Sequence, residues 1–391
     1  QSTCPACGAA AGPAFYSLAG APVHSVLLLE TRAAAVGYPR GELQLGLCER
    51  CGFIWNMAFD PGRHEYSAKY EATQAYSATF NAFHRRLAEH LIQRYDLHGK
   101  DLIEIGCGQG EFLSLLCELG GNRGVGFDPA YVAGRVEGPA RNQLRFVADF
   151  YSEQYVAERC DFLCCKMTLE HIQPVAEFAG TVRRAVGERP GTVVFFQIPH
   201  VTRILRDVAF WDLYYEHCSY FSPGSLARLF RRAGFDVLDL WTDYDDQYLM
   251  IEARPGTGAG RPPLAAEEPP AALAQEVAAF TARFAEARAA WQARVAALRA
   301  AGQRAVIWGG GSKGVAFLTT LGLQAEIPYA VDINPRKHGT FMAGTGQEIV
   351  GPERLREYRP DVVIVMNPIY CAEIQAELDR LGVPAQLWPV G

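Results

Sequence analysis

The stretch Asp101-Leu102-Ile103-Glu104-Ile105-Gly106-Cys107-Gly108-Gln109-Gly110 decides how this chain folds. An apolar run with one internal acid enters a turn with glycine at every second position, and a helical pattern follows. Glycine accepts left-handed backbone angles and carries no side chain, so a ligand can lie against the backbone at the helix N-terminus. Working outward, strand-like runs recur at 124–128, 144–149, 161–167 and 192–199, with helical patterns between most of them. That alternation predicts a mainly parallel sheet covered on both faces. Two more runs, 236–242 and 247–253, are joined by a short polar turn and predict a closing β-hairpin.

Upstream, Phe83, Leu87 and Leu91 fall at fourfold spacing and predict a helix. A tyrosine-rich stretch at 65–76 leads into it and is expected to form a lid. Residues 26–29 and 43–45 are short strand-like runs. Downstream, 254–270 is rich in Pro, Gly and Ala and reads as a linker. Leu273, Val277, Phe280, Phe284, Ala287, Trp291, Val295 and Leu298 then step by three or four, marking one long amphipathic helix. A connecting helix packed on the domains is the expectation; a coiled-coil dimer arm is the alternative. A second strand–helix unit starts at Arg304. The chain thus divides into 1–60, the lid and helix at 61–95, a core at 96–255, a linker and helix at 256–300, and a second nucleotide-fold-like module at 301–391.

Of the 391 residues, 49% are hydrophobic and 20% charged, as in packed globular domains. Lys+Arg 37 against Asp+Glu 43 gives a net charge of -6, which offers no basic field for nucleic acid or an anionic membrane. No window approaches 18 uninterrupted apolar residues, and the first residues do not read as a signal peptide. The expectation is a cytoplasmic monomer or homodimer whose partner is a small molecule. Four of the eleven cysteines form two pairs, Cys4-Pro-Ala-Cys7 and Cys48-Glu-Arg-Cys51, each followed by glycine (Gly8, Gly52). Two such knuckles present four thiolates to one zinc ion, a closed structural site. A redox dithiol would need only one CxxC. The other seven cysteines sit in apolar contexts and read as small core residues.

Glu104, the acid before the glycine turn, is typical of S-adenosylmethionine sites. Asp128 ends the second strand, 18 residues after Gly110. A carboxylate there can accept from both ribose hydroxyls, and Asp149, ending the third strand, is placed for an adenine amino group. The candidate cofactor set is therefore Glu104, Gly106, Cys107, Gly108, Gly110, Asp128 and Asp149; a helix cap or turn carboxylate is the alternative for the two aspartates. With the closing hairpin, the block 96–255 resembles a class I methyltransferase, a Rossmann-like α/β fold. The C-terminal stretch reads Ile307-Trp308-Gly309-Gly310-Gly311-Ser312-Lys313-Gly314, then Val331-Asp332-Ile333-Asn334-Pro335 and Met366-Asn367-Pro368. Taken with the double CxxC, the chain resembles the three-domain C-methyltransferases of nucleotide-linked keto-sugars: an N-terminal zinc-binding domain, the methyltransferase core and a C-terminal Rossmann-like domain.

That resemblance implies a catalytic motif Tyr-x-Glu-His, matched by Tyr214, Glu216 and His217. Carbon methylation requires loss of a proton beside a carbonyl and stabilisation of the enolate. Histidine suits the base, glutamate can orient the imidazole, and tyrosine can bond the enolate oxygen. A buried capping cluster under the following helix is the structural alternative. His171, in Leu169-Glu170-His171, is a second candidate base, although such a histidine can equally support the fold. Tyr70 and Tyr76 are candidate acceptor contacts, with simple packing as their alternative. His64, His84, His90 and His98 are expected at the surface or as caps. Gly309-x-Gly311-x-x-Gly314 with Asp332 also fits a dinucleotide fingerprint. Acceptor binding or cleft closure is preferred there to NAD, with Lys313 suited to an anionic group. Methylation of oxygen or nitrogen, or a non-catalytic scaffold, are the rival functions.

Overall fold

The computed structural model describes residues 3–63, 69–135, 138–257 and 260–391. His64 and positions 65–68 of the tyrosine-rich stretch lie outside the described residues.

The glycine-turn strand, Asp101–Ile105, is an inner strand of a seven-stranded sheet, next to the central one. Its parallel neighbours are Arg123–Phe127 and Phe162–Lys166, in register Leu102 to Gly124 and Leu102 to Phe162. Leu144–Val147 closes one edge; Val193–Pro199 and the hairpin Tyr248–Pro255 and Phe235–Asp243 extend the other. Every residue of Phe162–Lys166 is buried. Helices cover both faces of such a sheet, which is why these strands read as unbroken apolar runs rather than as alternation. Helix Ala78–Tyr95 starts at Ser77, whose hydroxyl accepts from Phe80 N, and buries Phe83, Leu87 and Leu91.

The N-terminal sheet pairs Ala14–Pro22 with Arg40–Leu47 and then with Ile54–Asn56. Its fourth strand, Ser219–Tyr220, comes from the far side of the core. Residues 26–29 depart from expectation: they form no strand, only a single bridge from Leu27 to Tyr70. An apolar run specifies burial, and a strand also needs a continuous partner edge. The C-terminal module has five parallel strands in the order Glu348–Val350, Tyr329–Val331, Ala305–Trp308, Val362–Val365, Gln386–Pro389. Numbered along its own chain this is 3-2-1-4-5, the order of the parallel part of the core sheet. The long helix, Pro270–Ala300, turns its apolar stripe onto its own chain: Phe280 lies 5.9 Å from the Tyr16 ring and Trp291 5.2 Å from Phe317. Among the described residues no helix is long and apolar enough to cross a membrane.

Candidate active site

The three glycines of the turn have different physical reasons to be glycine. All have positive φ (68°, 56° and 93°). A Cβ on Gly106 would lie 1.8 Å from Thr168 Oγ1, and one on Gly110 would lie 2.4 Å from the Phe146 ring. At Gly108 it would meet nothing nearer than Glu111 Oε2 at 4.0 Å, so this glycine leaves an open face above the turn. Asp128 braces the turn from the next strand, accepting from Gly108 N and Ala130 N, both at 2.8 Å. Burial pushes the Asp128 carboxyl above its ordinary range. Glu104 is buried behind the turn and accepts from Leu113 N at 3.1 Å; burial raises it to about 8. Cys107 is buried under the turn. Asp149 stands beyond its strand with its oxygens already taken by Phe150 N, Gln154 Nε2 and Tyr155 Oη, the last at 2.7 Å.

The residues 210–222 carry the second half of the site. Strand Ser219–Tyr220 pins their end to the N-terminal sheet, and Ser222 caps helix Pro223–Arg232 in a capping box with Ser225. Between these anchors Glu216 is buried, with 2% of its surface exposed. It accepts from His24 Nδ1 at 3.1 Å and from the Ser25 hydroxyl. Burial alone would raise this carboxyl, but the hydrogen bonds from His24 and Ser25 hold it at about 2. The His217 ring lies 4.8 Å from His171, edge to face, and 4.5 Å from Tyr214. Burial and neighbouring His217 push His171 down to about 3. Glu170, 1% exposed, sits within 4.8 Å of both histidines, and burial raises it to about 8.

The structure thus gathers Glu216, His217, Tyr214, His171 and Tyr70. The Tyr70 hydroxyl is pushed well up by burial and by the carboxylates of Glu216 and Asp128, and its ring lies 6.3 Å from that of His24. Tyr76 is 46% exposed. Tyr214 Oη donates to Asp212 at 2.7 Å, so its one proton is engaged away from any acceptor. The carboxylate of Glu216 is bonded to His24, which motif reading did not single out: no sequence pattern marks a histidine 192 residues from its partner. His84 also departs from the expected surface role. It packs on Phe80 and Phe112 and lies 2.9 Å from Lys166 Nζ, because the same face of its helix that buries Phe80 and Phe83 carries it inward. His90 is half-exposed and His98 exposed.

The C-terminal module meets this cluster through the start of helix Ser312–Leu321. Ser312 Oγ is 2.7 Å from Ser25 Oγ and 3.5 Å from Glu216. Lys313 forms an ion pair with Asp212, which also takes Arg203 at 2.8 Å. The lysine expected to suit an anionic ligand is therefore already committed to a carboxylate. Asp332 accepts from Gly310 N and Lys337 Nζ, both at 3.1 Å.

Comparison with known proteins bears on this arrangement at two places. Residues 80–240 match the family model described as "Methyltransferase domain", and residues 263–383 match "C-methyltransferase C-terminal domain". The chain is 28% identical over 351 residues to C-methyltransferase NovU of Streptomyces niveus, covering 85% of this chain and 81% of that protein. The chain is a C-methyltransferase of the S-adenosylmethionine-dependent kind. Solved structures align only in part. N,N-8-amino-8-demethyl-D-riboflavin dimethyltransferase of Streptomyces davawensis matches at TM-score 0.37 and 20% identity, over 45% of this chain and 56% of that one. The 1,6-didemethyltoxoflavin-N1-methyltransferase of Burkholderia thailandensis matches at 0.34 and 18%, over 48% and 91%. In this C-methyltransferase the open face at Gly108 and the Asp128 brace fit the cofactor.

The four knuckle cysteines also converge. Cys4 Sγ lies 3.6 Å from Cys51 Sγ, Cys7 Sγ lies 3.5 Å from Cys48 Sγ, and all four fall within 4.8 Å of one another. A zinc tetrahedron with Zn–S bonds of about 2.3 Å has sulfur–sulfur edges of roughly 3.8 Å, so this donor set fits the metal.

Proposed function

We propose that the enzyme methylates a carbon beside a carbonyl in a small acceptor of the nucleotide-linked keto-sugar type, with His217 as base and a structural zinc on Cys4, Cys7, Cys48 and Cys51. The observation that carries this reading is a buried carboxylate, Glu216, hydrogen-bonded to His24 and Ser25 and adjoining His217, whose ring meets His171 edge to face. S-adenosylmethionine supplies the electrophilic methyl group. His217 takes the acceptor's C–H proton, and the electron pair left behind forms the enolate that attacks that methyl. The nascent imidazolium is stabilised by the Glu216 charge at low dielectric, where such an interaction is far stronger than in water. Tyr70, not Tyr214, donates to the enolate oxygen, since the Tyr214 proton already serves Asp212. Tyr214 positions the His217 ring. The N-terminal CxxC pairs and the domain order support the sugar-type acceptor, and the name of the relative supports carbon as the target.

A second reading has a specific basis. The 3.1 Å bond from His24 Nδ1 to Glu216 is the geometry that activates an imidazole as a base. Solvent deuterium exchange at the acceptor carbon, with S-adenosylhomocysteine bound, separates the two. The wild type should exchange. His217→Ala should bind S-adenosylhomocysteine normally, lose exchange, and lose turnover about 10²–10⁴-fold. Exchange that survives in His217→Ala but disappears in His24→Gln transfers the base to His24. Product carrying the methyl on oxygen discards the enolate route.

A further inference from the structure

Three Lys or Arg residues are buried as whole residues: Lys166, Arg203 and Lys337. Arg203 pairs with Asp212 and Asp207, and Lys337 with Asp332. Lys166 alone has no carboxylate within ion-pair distance among the described residues. Its ammonium lies 2.9 Å from His84 Nε2 and 4.2 Å above the Phe112 ring. Burial pushes the Lys166 amine down and the Glu104 carboxyl up, and Glu104, the acid with the largest influence on Lys166, accepts from Leu113 N and forms no ion pair with it. His84 is held at about 2 by burial and is a neutral acceptor. A ring face and a neutral nitrogen offset only part of the cost of burying a full charge. The site lacks an anion.

Its position says which. Lys166 ends the strand Phe162–Lys166, whose Cys165 is in register with Ile105, so Lys166 stands level with Gly106, the first residue of the glycine turn. Phe112 belongs to the first turn of helix Glu111–Gly120, which the glycine turn opens. S-adenosylmethionine, placed on that turn, carries one carboxylate, at the end of its methionyl arm. We propose that Lys166 receives this carboxylate, with His84 accepting one of its three N–H bonds and so aiming the other two at the ligand. Met167 beyond it has φ 49°, a left-handed angle that turns the chain sharply away after Lys166.

The inference rests on the assignment of this cofactor, and two ligands separate the claims. Calorimetry with S-adenosylhomocysteine and with its decarboxylated analogue, in which hydrogen replaces the carboxylate, reads the contact directly. The wild type should bind the analogue roughly 10- to 100-fold more weakly, as expected for a lost charge-assisted bond. In Lys166→Met, S-adenosylhomocysteine should fall to the affinity of the analogue, and the analogue itself should bind as it does to the wild type, which also reports a folded site. Lys166→Gln should repeat that collapse. Equal binding of the two ligands by the wild type, or an unchanged ratio in both variants, overturns the role of Lys166. Failure of the wild type to bind either ligand overturns the cofactor assignment instead.

Discussion

Around Glu216 and beneath the glycine turn, burial sets which groups carry charge, and the signs of their linkage to stability can be worked out. His84 and His171 are held at about 2 and about 3, far below an ordinary histidine, so between there and about pH 6.5 the unfolded chain binds protons that the folded chain refuses. Their contribution to stability is lost as pH falls through that window. Glu104 and Glu170, both raised to about 8, run the other way: their contribution is present below about pH 4.5 and lost as pH rises toward 8. Between about pH 4.5 and 6.5 the two effects oppose each other. Replacing His84 by glutamine, which still accepts from Lys166 but does not titrate, removes one side. The stability difference between wild type and His84→Gln should therefore grow with pH by up to about 1.4 kcal/mol per unit. Urea unfolding at pH 5 and pH 6 measures this, and a constant difference means that His84 is not held neutral. Glu216 and His217 were legible at this scale because they share one motif. His24 was not, because its chemistry arises only from contact with Glu216.

Elements carry the next level of dependence. Cys51 is followed within three residues by the strand Ile54–Asn56, and that strand pairs with Ser219–Tyr220, which starts two residues after His217. The cysteine knuckles are thus mechanically continuous with the loop that holds the proposed base. The zinc reading predicts one zinc per chain by elemental analysis and its loss in Cys48→Ser. Because binding a structural metal contributes folding free energy, that variant should melt at lower temperature and turn over more slowly. Full turnover in zinc-free protein would separate the knuckles from the active site. The core strands are readable from apolar runs bounded by turn residues, to within a residue or two at the ends, whereas Ala14–Pro22 and Ile54–Asn56 carry no run that marks them. Residues 26–29 carry an apolar run like that of a strand, but only Val26 is buried and the run makes a single bridge, Leu27 to Tyr70, among the described residues.

Across the whole molecule, the C-terminal module packs against the Glu216 cluster. Besides Ser312 and Lys313, it holds the start of helix Ala78–Tyr95 and the segment before it: Glu373 accepts from Ser77 Oγ at 2.9 Å and Thr79 N at 3.1 Å, and Asn334 donates to Glu71 at 3.1 Å. Glu71 in turn pairs with Arg135 of the core at 2.7 Å. The Lys313–Asp212 pair is the buried charge contact between module and motif, with Asp212 10% exposed. Lys313→Met leaves Asp212 with Arg203 as its ion-pair partner and the Tyr214 hydroxyl as a donor, and removing one partner of a buried pair costs at most about 3–5 kcal/mol. Chemical denaturation should show the loss, accompanied by lower turnover with little change in S-adenosylhomocysteine affinity, because Asp212 holds Tyr214 and not the glycine turn. An unchanged midpoint would show that the module is held by its Glu373 and Asn334 contacts instead.

What the sequence by itself determined is whatever depends on neighbours in the chain. The glycine turn, the strand–helix alternation, the paired knuckles and the Tyr214–His217 motif are local patterns, and local backbone rules give them meaning before any tertiary contact forms. The tertiary structure alone decided which groups from different regions meet. It brought His24 and Ser25, just beyond strand Ala14–Pro22, the motif, and Ser312 of the C-terminal helix to one buried carboxylate. It also turned Lys313 toward Asp212, drew His84 inward to Lys166, and left Tyr76 in solvent. These outcomes depend on burial and on pairing between groups up to 287 residues apart, as for Ser25 and Ser312. No local pattern encodes them, because the energies that select them exist only once the three modules have packed together.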